Sequence, residues 1–186
     1  MQEKKDIRQL SLDELVLDFE KAGEKKFRAA QVYEWIWKKG LVSFDDMTNL
    51  SKPFKMFLNE NFFFHKAEII ETKRAKDKTI KAVFSLFDKA LIEGVLIPTK
   101  SRVTACISTQ VGCPLKCAFC ATGSMGFQRN LSAGEIFDQV LQLSKLAVDS
   151  YSLPLTNIVI MGMGEPLLNY ENTLAAINGI ISPNGL

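Results

Sequence analysis

The stretch RVTACISTQVGCPLKCAFCATG, residues 102–123, passes from a β-branched run into three cysteines, Cys113, Cys117 and Cys120, within eight positions. Residues 102–109 read as a strand, and a cysteine-bearing loop follows it. Downstream, Ser132 predicts a helix N-cap, with Glu135 completing a capping box and Leu131 facing Ile136 as a hydrophobic staple. That helix is expected to reach about Asp149. TNIVIM, residues 156–161, is a continuous apolar run of the kind expected of a parallel strand buried on both faces. GMGEP is the loop after it, and NYENTLAAINGI the next helix. Strand, loop and helix therefore alternate, which predicts an α/β class with a parallel sheet covered by helices. Ligands of such sheets gather beyond the carboxyl ends of the strands. Both the cysteine loop and GMGEP fall at that end.

Upstream the pattern changes. Residues 1–65 read as a compact helical module: Ser11 and Glu14 form a capping box, Gly23 stops that helix, and FRAAQVYEWIW carries a second helix ended by Gly40. A third begins at Ser51 with Pro53 in its first turn, where a missing N–H does no harm. Residues 66–98 are expected to form a β-hairpin extension. Ile80, Ala82, Phe84 and Leu86 alternate along its first strand, and LIEGVLIP alternates along its second. The basic run KRAKDK, residues 73–78, reads as a solvated turn.

Composition sets outer bounds. The 186 residues are 47% hydrophobic, which excludes a disordered chain, and a formal charge of +2 argues neither for nor against nucleic acid. MQEKKDIRQL has no apolar core of a secretory signal, and no apolar run approaches the roughly 20 residues of a membrane span. A cytoplasmic protein without membrane contact is expected. In a reducing compartment, clustered cysteines point to metal or redox work rather than structural disulfides.

The spacing C-x3-C-x2-C decides among the metals. Structural zinc takes four ligands, commonly as two separated pairs, whereas here there is no second pair, and the single histidine, His65, lies far back in the helical module. Cys106 could supply a fourth thiolate, but it sits on the strand. Three thiolates match three irons of a 4Fe–4S cluster and leave the fourth iron open. Zinc and three structural cysteines remain the alternatives.

CPLKCAFC resembles the radical S-adenosylmethionine signature, and GMGEP resembles that superfamily's glycine-rich loop. The resemblance implies Cys113, Cys117 and Cys120 as cluster ligands, and Gly164 and Glu165 as contacts to the methionine amino group of S-adenosylmethionine. GEKKFRAAQVYEWIW, CISTQVGCPLKCAFCATG and NIVIMGMGEPLLN together resemble the bacterial adenine-C2 methyltransferases of 23S rRNA and tRNA. The related adenine-C8 enzymes share much of this pattern. The family's scheme carries the methyl group on an enzyme cysteine, adds it to adenine as a carbon radical, and resolves the adduct through a transient disulfide. It implies Cys106 as the resolving cysteine and Glu93 as proton acceptor at adenine carbon 2. It also implies RNA contact by residues 1–65, a reductant such as flavodoxin, and a monomer when full length. A non-catalytic zinc module that binds RNA is the reading from a different class.

An eight-unit βα barrel takes about 250 residues, and the superfamily's six-unit partial barrel needs most of that. Residues 99–186 hold about two βα units. ISPNGL, residues 181–186, reads as a turn. The expectation is therefore an incomplete (β/α)6 partial barrel behind the helical domain and hairpin, an N-terminal portion inactive alone, whose two-stranded parallel sheet exposes apolar surface.

Overall fold

The computed structural model describes residues 4–181 and divides into two units, residues 4–65 with 177–181, and residues 66–176. The turn expected over 182–186 lies outside the described residues.

In the first unit a short strand, β1 (Lys5–Asp6), precedes helix α1 (Leu12–Lys21). The capping box is formed: the Glu14 N–H donates to Ser11 Oγ, and the Ser11 N–H donates to the Glu14 carboxylate at 2.8 Å. The box satisfies two donors the helix cannot use itself. Helix α2 (Phe27–Trp37) buries Ala29, Val32 and Ile36, one stripe of a 3.6-residue period, while Phe27 stays half exposed. Helix α3 (Lys52–Asn61) begins after Ser51 with proline in its first turn. Strand β2 (Phe62–Phe63) then pairs in parallel with β1. Phe19, fully buried on α1, meets Phe54, Phe57 and Phe62 edge-on at 5.3, 5.9 and 5.9 Å between ring centres. Such pairs add about 1 kcal/mol each beyond the area they bury.

The second unit contains β3 (Glu68–Arg74), β4 (Ile80–Ser85), β5 (Leu91–Pro98), β6 (Val103–Cys106), β7 (Gln110–Gly112), the single-turn α4 (Ala121–Ser124), β8 (Phe127–Asn130), α5 (Ala133–Tyr151) and β9 (Asn157–Val159). Helix α6 (Tyr170–Ile181) follows. Five strands form one mixed sheet in the order β3-β4-β5-β6-β9. The first four run antiparallel to their neighbours, and β9 joins β6 in parallel. The alternation read in the hairpin is the register found, with Ile80 opposite Leu96, Ala82 opposite Gly94 and Phe84 opposite Ile92. These residues, with Val103 and Ala105, make the buried face. Helix α5 covers that face with Ile136, Val140, Leu143 and Ala147, at helical spacing.

Three expectations change. The hairpin is a three-stranded meander, because β3 adds to its edge, and the first two residues of the basic run, Lys73 and Arg74, end that strand. The parallel pair is not a sheet by itself: β6 also pairs with β5, so the meander extends it to five strands. TNIVIM is not buried on both faces. Among the described residues β9 has β6 as its one strand partner, and its residues are exposed or half-buried. No described helix is long and apolar enough to cross a membrane.

The capping box expected at α5 is formed as well, with the Glu135 N–H donating to Ser132 Oγ and the Ser132 N–H to the Glu135 carboxylate at 2.9 Å. Ser132→Ala is expected to cost about 1 kcal/mol, read as a lower midpoint in thermal denaturation. An unchanged midpoint would show that the cap contributes nothing here.

Candidate active site

The cysteine loop is closed at its base by β7 and β8, which pair antiparallel with Gln110 opposite Asn130 and Val111 opposite Arg129. At its throat the Cys113 N–H donates to the Gly126 carbonyl at 3.0 Å. Within the loop, the Cys120 N–H donates to the Cys117 carbonyl at 3.0 Å and the Gly123 N–H to that of Cys120 at 3.1 Å. These bonds turn the chain within the loop that carries all three cysteines. Cys113 is buried, Cys120 half-buried and Cys117 exposed, and Phe119 beside them is 94% exposed. Hydrogen bonds from the Gly123 and Thr122 groups hold the Cys120 thiol below its ordinary range. Among the described residues no three Cys, His, Asp or Glu side chains converge into a ready-made metal group. The donor chemistry nevertheless fits an iron–sulfur cluster, since the loop carries three soft thiols and no fourth thiol or imidazole.

GMGEP follows β9 and is fastened to the segment after β6. The Gly162 N–H donates to the Ile107 carbonyl at 3.0 Å, and the Met163 carbonyl accepts from Thr109 and Gln110 N–H at 2.9 and 3.2 Å. Ser108 Oγ accepts from the Met163 N–H at 2.8 Å and donates to the Glu93 carbonyl at 2.6 Å. Gly164 has φ +98°, and a Cβ there would stand 2.5 Å from Gln110 Cβ, so the position demands glycine twice over. The Glu165 carboxylate accepts from the Leu167 N–H at 3.0 Å, opening the turn Pro166–Asn169. The two loops expected at the carboxyl ends of the parallel strands are thus neighbours there.

Glu93 and Cys106 lie on the sheet face opposite α5. Leu91, Glu93, Val95 and Ile97 share that face, and Cys106 stands directly opposite Val95. Glu93 forms an ion pair with Lys81 at 2.7 Å, and this contact raises the Lys81 ammonium above its usual range. Burial pushes the Cys106 thiol up, against a smaller pull from the Met161 backbone. All four cysteines are free. No disulfide among these four is supported: Cys106 is held in β6, and the other three thiols belong to the loop beyond β7.

Several contacts were not anticipated from the sequence. Arg129 bonds both Glu135 carboxylate oxygens at 2.9 Å and Asp88 at 2.7 Å, and stacks 4.8 Å from the centre of Phe87. It ties the β4–β5 turn to the stem of the cysteine loop. Burial opposes its charge, and the two carboxylates outweigh that, so the guanidinium holds its proton more firmly than usual. Asn169 Nδ2, buried, donates to the carbonyls of Thr109 and Leu131 at 2.8 Å each. Lys81 had a readable signal, since the hairpin register places it diagonally from Glu93. Arg129 and Asn169 had none.

Residues 107–181 match the family model of the radical SAM superfamily, and residues 5–63 match that of the ribosomal RNA large subunit methyltransferase N-terminal domain. The superfamily match takes in both the cysteine loop and GMGEP. Relatives similar along nearly the whole chain are named probable dual-specificity RNA methyltransferase RlmN. The one from Cytophaga hutchinsonii is 53% identical over 98% of this chain and 50% of its own length. The one from Christiangramia forsetii is 49% identical over 98% of this chain and 52% of its own. A crystal structure of a radical SAM methyltransferase from Sphaerobacter thermophilus matches with a TM-score of 0.82 and 37% identity, over 97% of this chain and 53% of that one. The chain spans about half the length of the curated relatives it matches.

Proposed function

We propose that this chain is part of a radical SAM RNA methyltransferase that modifies carbon 2 of adenine in 23S rRNA and tRNA. One observation carries the reading: a loop with three thiols and a glycine loop ending in Glu165 are fastened side by side at the carboxyl ends of a parallel strand pair. Cys113, Cys117 and Cys120 would hold a 4Fe–4S cluster, and Gly164 and Glu165 would receive the amino group of S-adenosylmethionine. Such a cluster would supply one-electron chemistry to the sulfonium, and with it access to a carbon too electron-poor for a methyl cation. The open sheet face next to these loops presents Glu93 as acceptor of the proton leaving adenine carbon 2, with Lys81 fixing its carboxylate, and Cys106 as the thiol that releases the methylated RNA.

In this reading residues 1–65 form an RNA-contacting accessory domain, 66–98 an extension, and 99–186 the start of a (β/α)6 partial barrel. The names of the relatives support RNA as substrate. The whole enzyme would work in the cytoplasm with a reductant such as flavodoxin. Anaerobic reconstitution with iron and sulfide tests the site directly. About four irons per chain, with a reduced-cluster spectrum that changes on adding S-adenosylmethionine, is the expected result. One tightly held zinc per chain would overturn it.

A further inference from the structure

We propose that Gln110 is a positioning residue that locks the glycine loop to the stem of the cysteine loop, so that the two halves of the cofactor site keep a fixed separation. The inference rests on the proposed function for its meaning and on geometry for its content. Gln110 is 1% exposed, and its backbone and both ends of its side chain are engaged. Its Oε1 accepts from the Glu165 N–H at 2.9 Å, its Nε2 donates to Asn130 Oδ1 at 2.8 Å, and its own N–H donates to the Met163 carbonyl at 3.2 Å. Asn130 Nδ2 in turn donates to the Leu168 carbonyl at 3.4 Å. The Leu168 N–H donates to the Glu165 carbonyl at 3.0 Å, which closes a ring from Gln110 through Glu165, Leu168 and Asn130 back to Gln110.

Gln110 and Asn130 are also register partners across the β7–β8 stem. The same two side chains therefore end the cysteine loop's stem and grip the glycine loop. Gly164 lies against the Gln110 side chain with no room for a Cβ, so the grip is steric as well as polar. A ligand that bridges an iron held by the cysteine loop and an ammonium site on the glycine loop spans two chain segments more than forty residues apart. Its affinity depends on their separation being set before it binds, since an ordering cost paid at binding subtracts from affinity. A buried amide with donors and an acceptor in fixed directions sets that separation. An apolar residue of the same size would fill the space and leave the Glu165 N–H unpaired.

The test uses the 186-residue chain and the variant Gln110→Met, which removes both polar ends and keeps the side chain's length. In metal-free protein, amide hydrogen exchange at Glu165 is expected to quicken about tenfold in Gln110→Met, while β4 and β5 keep their protection. After reconstitution, Gln110→Met is expected to retain wild-type iron content and to need about tenfold more S-adenosylmethionine for the spectral change. Unchanged Glu165 exchange in Gln110→Met, or loss of protection spread evenly through β4 and β5, would overturn the inference. Failure of the unaltered chain to take up iron would overturn the reading of the site itself, and the exchange measurement keeps the two failures apart.

Discussion

Cys117→Ala is expected to cut iron uptake to less than about a tenth of wild type, with no change in the folding of the chain. Cys117 is exposed, so its side chain supports no packing, and the loop around it is wound by backbone hydrogen bonds that alanine preserves. The loss should therefore be a loss of ligand and nothing else. A cluster anchored by three thiolates has no reserve. Cys106 is held in a strand with its thiol pushed up by burial, away from the thiolate form that binds metal. Iron and sulfide analysis with circular dichroism checks this. Cys106→Ala is the companion, expected to keep its iron. If Cys117→Ala held wild-type iron, the metal would be bound elsewhere and the three-thiolate site would be wrong.

What could be read from the sequence was local. The capping boxes at Ser11 and Ser132, and Ser51 with Pro53, mark three helix starts because caps are made by residues within one turn. The inward face of the hairpin was legible because a two-residue period puts Ile80, Ala82 and Phe84 on one side of the strand. The placement of both loops at one end of the sheet followed from alternation of strand and helix. What escaped was held by backbone bonds or by partners far along the chain. Strand β3 is exposed along most of its length, so its hydrogen bonds to β4 leave no hydrophobic pattern to find. Strands β7 and β8 are three and four residues long, below the reach of any periodicity. The burial of TNIVIM was misjudged because an apolar run reports what a strand tolerates, not how many neighbours it has. The contacts of Gln110, Ser108 and Arg129 join segments that only the fold makes adjacent.

The open sheet face follows the same logic. Helix α5 can cover only one side of the sheet, so the other side, with Leu91 and Ile97 about half exposed, is left to Glu93, Lys81 and Cys106. Polar groups survive on that face because they are not asked to pack. The buried face, by contrast, admits nothing but apolar side chains and glycine along β5. The Glu93 carboxylate, paired with Lys81, and the Cys106 thiol are thus side chains of regular strands on one face of the sheet.

Gly112→Ala should be the most damaging small substitution in the cysteine loop. Gly112 has φ +74° at the irregularity where β7 meets β8. A Cβ added there would overlap the Gly126 carbonyl oxygen and stand 2.8 Å from its carbon and 3.3 Å from Phe127 Cα. All three are backbone atoms, so no side chain can turn aside, and the carbonyl is the one that accepts from the Cys113 N–H. Alanine must open the throat of the loop. The expected cost is about 3 kcal/mol, combining overpacking with the strain of a left-handed backbone. Gly126→Ala separates the two contributions. Gly126 has φ +79° but open space where its Cβ would go, so only the strain applies, about 1 kcal/mol. Urea denaturation followed by circular dichroism should place Gly112→Ala well below Gly126→Ala, and reconstituted iron should fall in the first and persist in the second. Equal midpoints would mean that the close approach of the two strands is not what requires glycine at 112.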